Sequence, residues 1–212
     1  MEKIKVYVEK SDHELSLQLG SPGSAGLDIM AAEDAIILPG ETKLVATELR
    51  LAIPTGYEVQ IRPRSGLSLK TSLRIANSPG TIDSDYRDEI KVICQNDQRL
   101  DGWKDNLVQN PGLASDLSKF TKVSLWDYLC QQSDKFNPIS LEDDPTFRQL
   151  LKEEIIFLDD DGLPYGTLKI QKGERFAQMV FAKYAQPQFD EVDSLVGIGN
   201  NRGGGFGSTG RL

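Results

Sequence analysis

A β-sandwich or barrel is the fold class this chain predicts. Three observations predict it: short alternating or apolar runs, Pro/Gly turn signals that separate them closely, and helical patterns confined to one internal stretch. Strand-like runs cover Ile4–Val8, Ile36–Leu38, Thr42–Ala46, Tyr57–Arg62, Leu73–Ala76, Glu89–Cys94 and Phe176–Ala182. Pro39-Gly40, Pro54-Thr55-Gly56 and Pro79-Gly80 punctuate them as turns. Between the fourth and fifth runs, Arg62-Pro63-Arg64-Ser65-Gly66-Leu67-Ser68 reads as a basic turn opening a short helix, with N–H groups available to phosphate.

Residues 95–167 differ in character. Asp and Asn clusters appear, and amphipathic helical patterns replace strand alternation. Ser124–Cys130 reads as helix. Asp144-Pro145 supplies an N-cap and a proline at the first helical position, opening a second helix through Phe147, Leu150 and Leu151. Ile155–Leu158 and Tyr165–Leu168 flank Asp159-Asp160-Asp161-Gly162 as a hairpin returning the chain to the β-body. That Asp run lacks the ligand spacing and downstream Glu of a calcium loop, so it reads as a solvated turn. The organisation expected is an all-β body formed by 1–94 and 168–212, interrupted by a helix-containing α+β insertion at 95–167.

Composition narrows the function classes. The chain has 212 residues, 39% of them hydrophobic, enough for a packed core. Its formal net charge of −8 argues against a nucleic-acid partner, which needs a basic face. Cys94 and Cys130 lie in unlike contexts and His13 is the one histidine, so neither a disulfide framework nor a zinc site is suggested; Cys94 reads as a buried strand residue. Met1–Val6 has no signal-like apolar region and no stretch is long enough to span a membrane, so a cytoplasmic location is expected.

The chemistry concentrates in Asn77-Ser-Pro-Gly-Thr-Ile-Asp-Ser-Asp-Tyr86, which packs a tight turn, carboxylates and an aromatic ring into ten residues. An open hairpin there offers backbone N–H and C=O groups to the edge of a flat base, and Asn77 adds an amide with donor and acceptor. By itself the segment reads as an ordinary polar hairpin with a solvated Asp pair. It is accompanied by Ser24-Ala25-Gly26-Leu27-Asp28-Ile29, by the basic turn at Arg62–Ser68, by Gly173–Val180, and by a Gly-rich tail, Arg202-Gly-Gly-Gly-Phe206-Gly207-Ser208-Thr209-Gly210, whose composition no packed core requires.

In order and content these five segments resemble the five motifs of the trimeric dUTPase family, pyrophosphatases that convert dUTP to dUMP. The resemblance covers Ser24–Cys94 and Leu168–Gly210. It implies a jelly-roll-like body, a homotrimer whose active sites draw on more than one subunit, and Mg2+ carried mainly by the triphosphate. It implies that Asp83 activates a water for attack on the α-phosphorus. Tyr86 would pack beneath the deoxyribose, and Asn77, Gly80 and Ile82 would read uracil. Arg64, Ser65, Gly66 and Gln178 would bind phosphate, Arg202 the γ-phosphate, and Gly207, Ser208 and Thr209 would close a lid whose Phe206 stacks on the base. Asp28 would reach the metal through water, or be satisfied locally by Arg175.

Two departures from the family pattern stand out: one residue fewer between Arg202 and Phe206, and Asp88 where the family commonly has Gly. The connection at 95–167 is roughly 65 residues longer than the usual short loop. Two rival readings stay open: a dCTP deaminase on the same fold, distinguished by ammonia release, and a regulatory protein that engages a repressor or other protein partner through the insertion, as some phage dUTPases do.

Overall fold

The computed structural model describes residues 3–11, 17–132 and 144–200. In chain order the β-body contains β1 (Tyr7–Lys10), β2 (Gln18–Leu19), β3 (Gly26–Met30), β4 (Ala35–Ile37), β5 (Thr42–Ala46), β6 (Leu49–Ala52), β7 (Tyr57–Pro63), α1 (Ser65–Lys70), β8 (Leu73–Ile75), β9 (Gly80–Ile82) and β10 (Lys91–Asn96). The intervening stretch folds as α2 (Trp103–Gln109), α3 (Leu113–Leu117), β11 (Thr121–Ser124), α4 (Leu125–Gln131), α5 (Pro145–Glu153) and β12 (Ile155–Leu158). The body then resumes with β13 (Leu168–Ile170) and β14 (Arg175–Lys183).

The pairing is antiparallel throughout. One sheet runs β2-β3-β14-β7-β9, a second β5-β10-β8, and β1-β6 and β4-β13 pair as two-stranded ribbons. Alternation buries one face of the central strands: Val92, Cys94 and Asn96 of β10 point inward, as do Leu49 and Leu51 of β6 and Val59 and Ile61 of β7. All of these but the polar Asn96 share one core with Ile29, Ile37, Phe176 and Met179. Fully burying an aliphatic side chain stabilises by about 1.5–3 kcal/mol, so this shared core decides the stability of the body. Burial also pushes the Cys94 thiol up to about 12, which keeps it in its unreactive protonated form.

The Pro54–Tyr57 turn forms as its sequence predicts. Gly56 takes a positive φ of 87° and Tyr57 N–H donates to the Pro54 carbonyl. The expected hairpin also pairs, with Cys94 opposite Ile75 and Asn96 opposite Leu73. Its tip is not a free turn, however: Gly80–Ile82 crosses to the other sheet and pairs with β7. β9 ends that sheet, so its outer edge has no strand partner among the described residues. The first strand begins later than expected, at Tyr7, where Ala52 of β6 first comes opposite it; the length of β6 sets that boundary.

The helical caps in the insertion follow the local chemistry. Ser124 Oγ accepts the Asp127 N–H at 3.0 Å, and Asp144 Oδ1 accepts the Phe147 N–H at 2.9 Å with Pro145 opening the helix. The predicted hairpin across Asp159–Gly162 needs correction. β12 takes β11 as its ladder partner, the return is a single bridge between Leu158 and Pro164, and Leu168–Ile170 pairs instead with β4. Pro164 has no N–H with which to extend a ladder, while Asp159 Oδ1 draws in the N–H groups of Asp161 and Leu163 to close the turn.

Asn96 joins the insertion to the body. Its amide is fully buried, donates to the carbonyls of Ile37 (3.0 Å) and Gly166 (2.9 Å), and accepts from Ser72 Oγ (2.6 Å) and Gln98 N (3.1 Å). That uses all of its hydrogen-bonding capacity, where an unpaired buried amide would cost roughly 1–3 kcal/mol.

Candidate active site

Three neighbouring strands build the first half of the site. In the five-stranded sheet Gln178 of β14 lies opposite Asp28 of β3 on one side and Arg62 of β7 on the other, so all three share a face. Simple alternation from Ala177 and Met179 would turn Arg175 inward. A register shift between Arg175 and Ala177 prevents this: Phe176 enters the core beside Ala177, and Arg175 pairs opposite Met30 on the face that carries Asp28.

Asp28 is thereby placed between two guanidinium groups. Its Oδ1 lies 2.9 Å from Arg64 Nε, and its Oδ2 lies 3.2 Å from Arg175 Nη1 and 3.4 Å from Arg64 Nη2. Arg64 Nη1 donates in addition to the Arg175 carbonyl at 2.6 Å. Arg64 is thus held along its Nε side and at one Nη1 hydrogen, leaving one N–H on each terminal nitrogen for an incoming ligand.

Arg64 also stands at the start of α1, where its side chain makes no capping bond, and Ser68 N–H closes the first turn onto its carbonyl. A cavity of about 290 Å³ opens here, lined by Arg64, Ser65, Gly66, Leu67, Lys70 and Gln178. All four described residues of the predicted phosphate-binding set therefore line one cavity. Gln178 is aimed by two features: Nε2 donates to the Pro63 carbonyl at 2.8 Å, and its Oε1 occupies the space over Gly26, where an added Cβ would come within 2.3 Å of it.

The second half sits on β9 and the loops on either side of it. Gly80 is buried, and the Asn77 amide lies against it, so close that a Cβ there would stand 3.0 Å from Asn77 Nδ2. Ile82 and the exposed ring of Tyr86 line a cavity of about 500 Å³. Tyr86 N–H donates to the Asp83 carbonyl, its hydroxyl to the Glu89 carbonyl, and Arg87 ties the loop by donating to the carbonyls of Ser84 and Tyr86. Asp83 is exposed and lines a different cavity of about 660 Å³ with Thr55, Glu58, Ser84, Asp85, Tyr184 and Gln186.

Asp83 and Arg64 therefore line cavities with no residue in common. The cavities also differ in charge, one bearing Arg64 and Lys70, the other Asp83, Asp85 and Glu58. The tail residues Arg202, Phe206, Gly207, Ser208 and Thr209 lie outside the described residues. Sequence reasoning missed Lys70 as a cavity residue and Glu89 as the partner of Tyr86. Lys70 carried a signal, since it lies four residues beyond Gly66 on one helix face; Glu89 carried none, because it acts through its backbone carbonyl.

The family model described as dUTPase matches residues 14–101, ending at the entry to the insertion. Over 97 residues the chain is 45% identical to the deoxyuridine 5'-triphosphate nucleotidohydrolase of Zymomonas mobilis subsp. mobilis, covering 44% of this chain and 66% of that protein. The chain spans from about half to two thirds of the length of the first such relatives, between 51% and 66%. A longer match, 35% identical over 192 residues, is to the nucleotidohydrolase of Brucella melitensis biotype 1 and covers 89% of this chain and 80% of that one. In architecture the chain is similar to the dUTPase of Staphylococcus bacteriophage 80alpha with dUPNHPP, at a TM-score of 0.66 and 23% identity, covering 99% of this chain and 100% of that one. With a 35% identical relative matched over most of both chains, on a body of the same fold, this chain belongs to the dUTPase family.

Proposed function

We propose that this chain hydrolyses dUTP to dUMP and pyrophosphate. One observation carries the reading: Arg64, Ser65, Gly66 and Gln178, more than a hundred residues apart at the extremes, line a single cation-bearing cavity in a chain of this family. Asp83 accepts the proton of a water whose oxygen forms the new bond to the α-phosphorus, and the bond to the bridging oxygen breaks with pyrophosphate as leaving group. Arg64 and the Gln178 amide take up charge on the phosphate oxygens as it develops. Tyr86 packs under the sugar and leaves no room for a 2′-hydroxyl, while Asn77 and the open edge of β9 meet the base.

Mg2+ belongs to this reading as the counterion of the triphosphate. Among the described residues no group of three or more His, Cys, Asp or Glu side chains comes together to hold a metal, and both oxygens of Asp28 face guanidinium groups. The residues fit a metal carried by the nucleotide, with Asp28 reaching it at most through water; when bound, it would neutralise phosphate oxygens. The arginine contacts make holding Arg64 the primary role we assign to Asp28.

Because the two half-sites lie in separate cavities of opposite charge, we infer that a complete site forms between copies of the chain, as in a homotrimer. Release of dUMP and pyrophosphate from dUTP by purified protein tests the activity; ammonia from dCTP would instead identify a deaminase. Mixing Asp83→Asn with Arg64→Ala protein, after partial denaturation and refolding, tests the shared site: each alone should be inactive and the mixture should recover part of the wild-type rate. A mixture as inactive as its components would place both half-sites on one chain.

A further inference from the structure

We propose that Glu89 is the positioning residue for sugar selection, fixing the ring of Tyr86 through its own carbonyl while its carboxylate anchors that carbonyl to the turn between β5 and β6. The proposal rests on the dUTPase reading, in which Tyr86 lies under the sugar. Tyr86 is 40% exposed on a loop whose neighbours Asp85, Arg87 and Asp88 are exposed as well. Packing alone does not fix the ring. What holds its far end is the hydrogen bond from the hydroxyl to the Glu89 carbonyl, at 3.1 Å.

The direction of that carbonyl is set from both sides. Glu89 Oε1 accepts the N–H groups of Thr47 at 3.3 Å and Glu48 at 3.0 Å, and Oε2 lies 3.5 Å from Lys91 Nζ. Glu48 has a φ of 54°, the one non-glycine residue in the left-handed region among those described. Such a residue persists only where its surroundings over-determine it; a carboxylate accepting two successive amides does so here. On the other side Ile90 is buried, its N–H donates to the Leu49 carbonyl at 2.8 Å, and its carbonyl accepts from the buried Thr47 hydroxyl at 2.6 Å. Loss of the carboxylate frees the turn and lets the Glu89 peptide rotate, and the ring loses its fixed distance from the 2′ position.

The experiment compares kcat/KM for dUTP and UTP in wild type, Glu89→Ala, Glu89→Gln, Tyr86→Phe and the Glu89→Ala/Tyr86→Phe pair, with thermal unfolding of each. Glu89→Ala should lower the dUTP-to-UTP ratio about tenfold, the scale at which a pocket distinguishes a small group. Glu89→Gln, which still accepts both amides, should keep the ratio. Tyr86→Phe should resemble Glu89→Ala, and the pair should be no worse than either alone. If Glu89→Ala does not fold, Glu89→Asp, one methylene short of the turn, reads the same effect. The proposal is overturned if the ratio is unchanged while both rates fall together, or if the two single losses multiply in the pair. Wild-type protein that turns over dUTP with an unchanged ratio in the variants defeats the Glu89 proposal alone; wild-type protein inert toward dUTP defeats the dUTPase reading beneath it.

Discussion

Gly26→Ala tests whether Gln178 acts from the cavity wall, because it moves that side chain without altering it. The added Cβ would lie 2.3 Å from Gln178 Oε1 and 3.3 Å from its Cδ. Real Cβ contacts do not come within 3.0 Å, so the amide must swing away, and as the end of a flexible side chain it can do so cheaply. Leaving its place breaks the 2.8 Å bond from Nε2 to the Pro63 carbonyl, a loss of about 0.5–1.5 kcal/mol. Gly26 does not have a positive φ, so alanine recovers about 0.4–1 kcal/mol by restricting the unfolded chain. The two terms nearly cancel, and the melting temperature should move by no more than about 4 °C. Activity should respond far more. A hydrogen bond from the amide to an anionic phosphate contributes about 1.5–3 kcal/mol, equivalent to a roughly 10- to 150-fold loss in kcat/KM. Initial rates of pyrophosphate release at low dUTP, measured for Gly26→Ala, Gln178→Ala and the double variant, should give three similar deficits. Wild-type activity in Gly26→Ala, or a double variant whose loss is the product of the singles, would refute the argument.

Three further outcomes are expected. Asp83→Asn should lower kcat at least about 100-fold while a non-hydrolysable dUTP analogue binds within about threefold of wild type by calorimetry, since the amide keeps the shape but cannot accept the proton. Asp28→Ala should raise KM for dUTP about tenfold by releasing Arg64, with the Mg2+ concentration for half-maximal rate unchanged; a roughly tenfold rise in that concentration would return Asp28 to the metal. Asp159 is pushed up by burial, but hydrogen bonds from Lys169 and from the N–H groups of Leu163 and Asp161 outweigh this and hold it below the usual carboxylate range. A folded pKa below the unfolded one gives stability that is present above pH ~4 and lost as pH falls through the folded value. The melting-temperature advantage of wild type over Asp159→Asn should therefore be constant from about pH 7 to about pH 5 and shrink below ~4, and an advantage that grew on acidification would contradict the contact.

Elements decided by local chemistry were legible in the sequence. Asp144 caps α5 as read, and the helix read from Ser124 forms as α4 with Ser124 as its cap, because each start depends on residues within one turn. Elements decided by partners were not. β2, β3, β6 and β9 are short, and their extent is set by the strand alongside. The shift at Phe176 was hidden because an arginine two residues before buried Ala177 looks like the end of a strand. Yet that arginine, at a nominally inward position, was the available sign of a bulge. In the site, motif order supplied the identities of Arg64, Gln178 and Asp83 through family resemblance. Their division between two cavities depends on which sheet edge carries each loop, a property of the assembled fold.

The insertion reconciles a formal charge of −8 with the polyanionic substrate we propose. In residues 95–167 acidic side chains outnumber basic ones two to one, whereas in the remainder the two nearly balance. The repulsion that the net charge suggests is therefore concentrated in a segment whose described residues line none of the three cavities holding candidate residues. Nor does the segment load its length onto the body. Closing a loop roughly ten times longer than usual costs only about 2 kcal/mol, and the insertion has a small core of its own around Tyr128, Ile156 and Leu158. Its ends meet at the Asn96 amide, which bonds Ile37 and Gly166 together, while β10 is held by β5 and β8 and β13 by β4. The strands on either side of the insertion are thus fixed by partners outside it, so what lies between Asn96 and Gly166 can change without moving the frame that positions Arg64, Gln178 or Asp83.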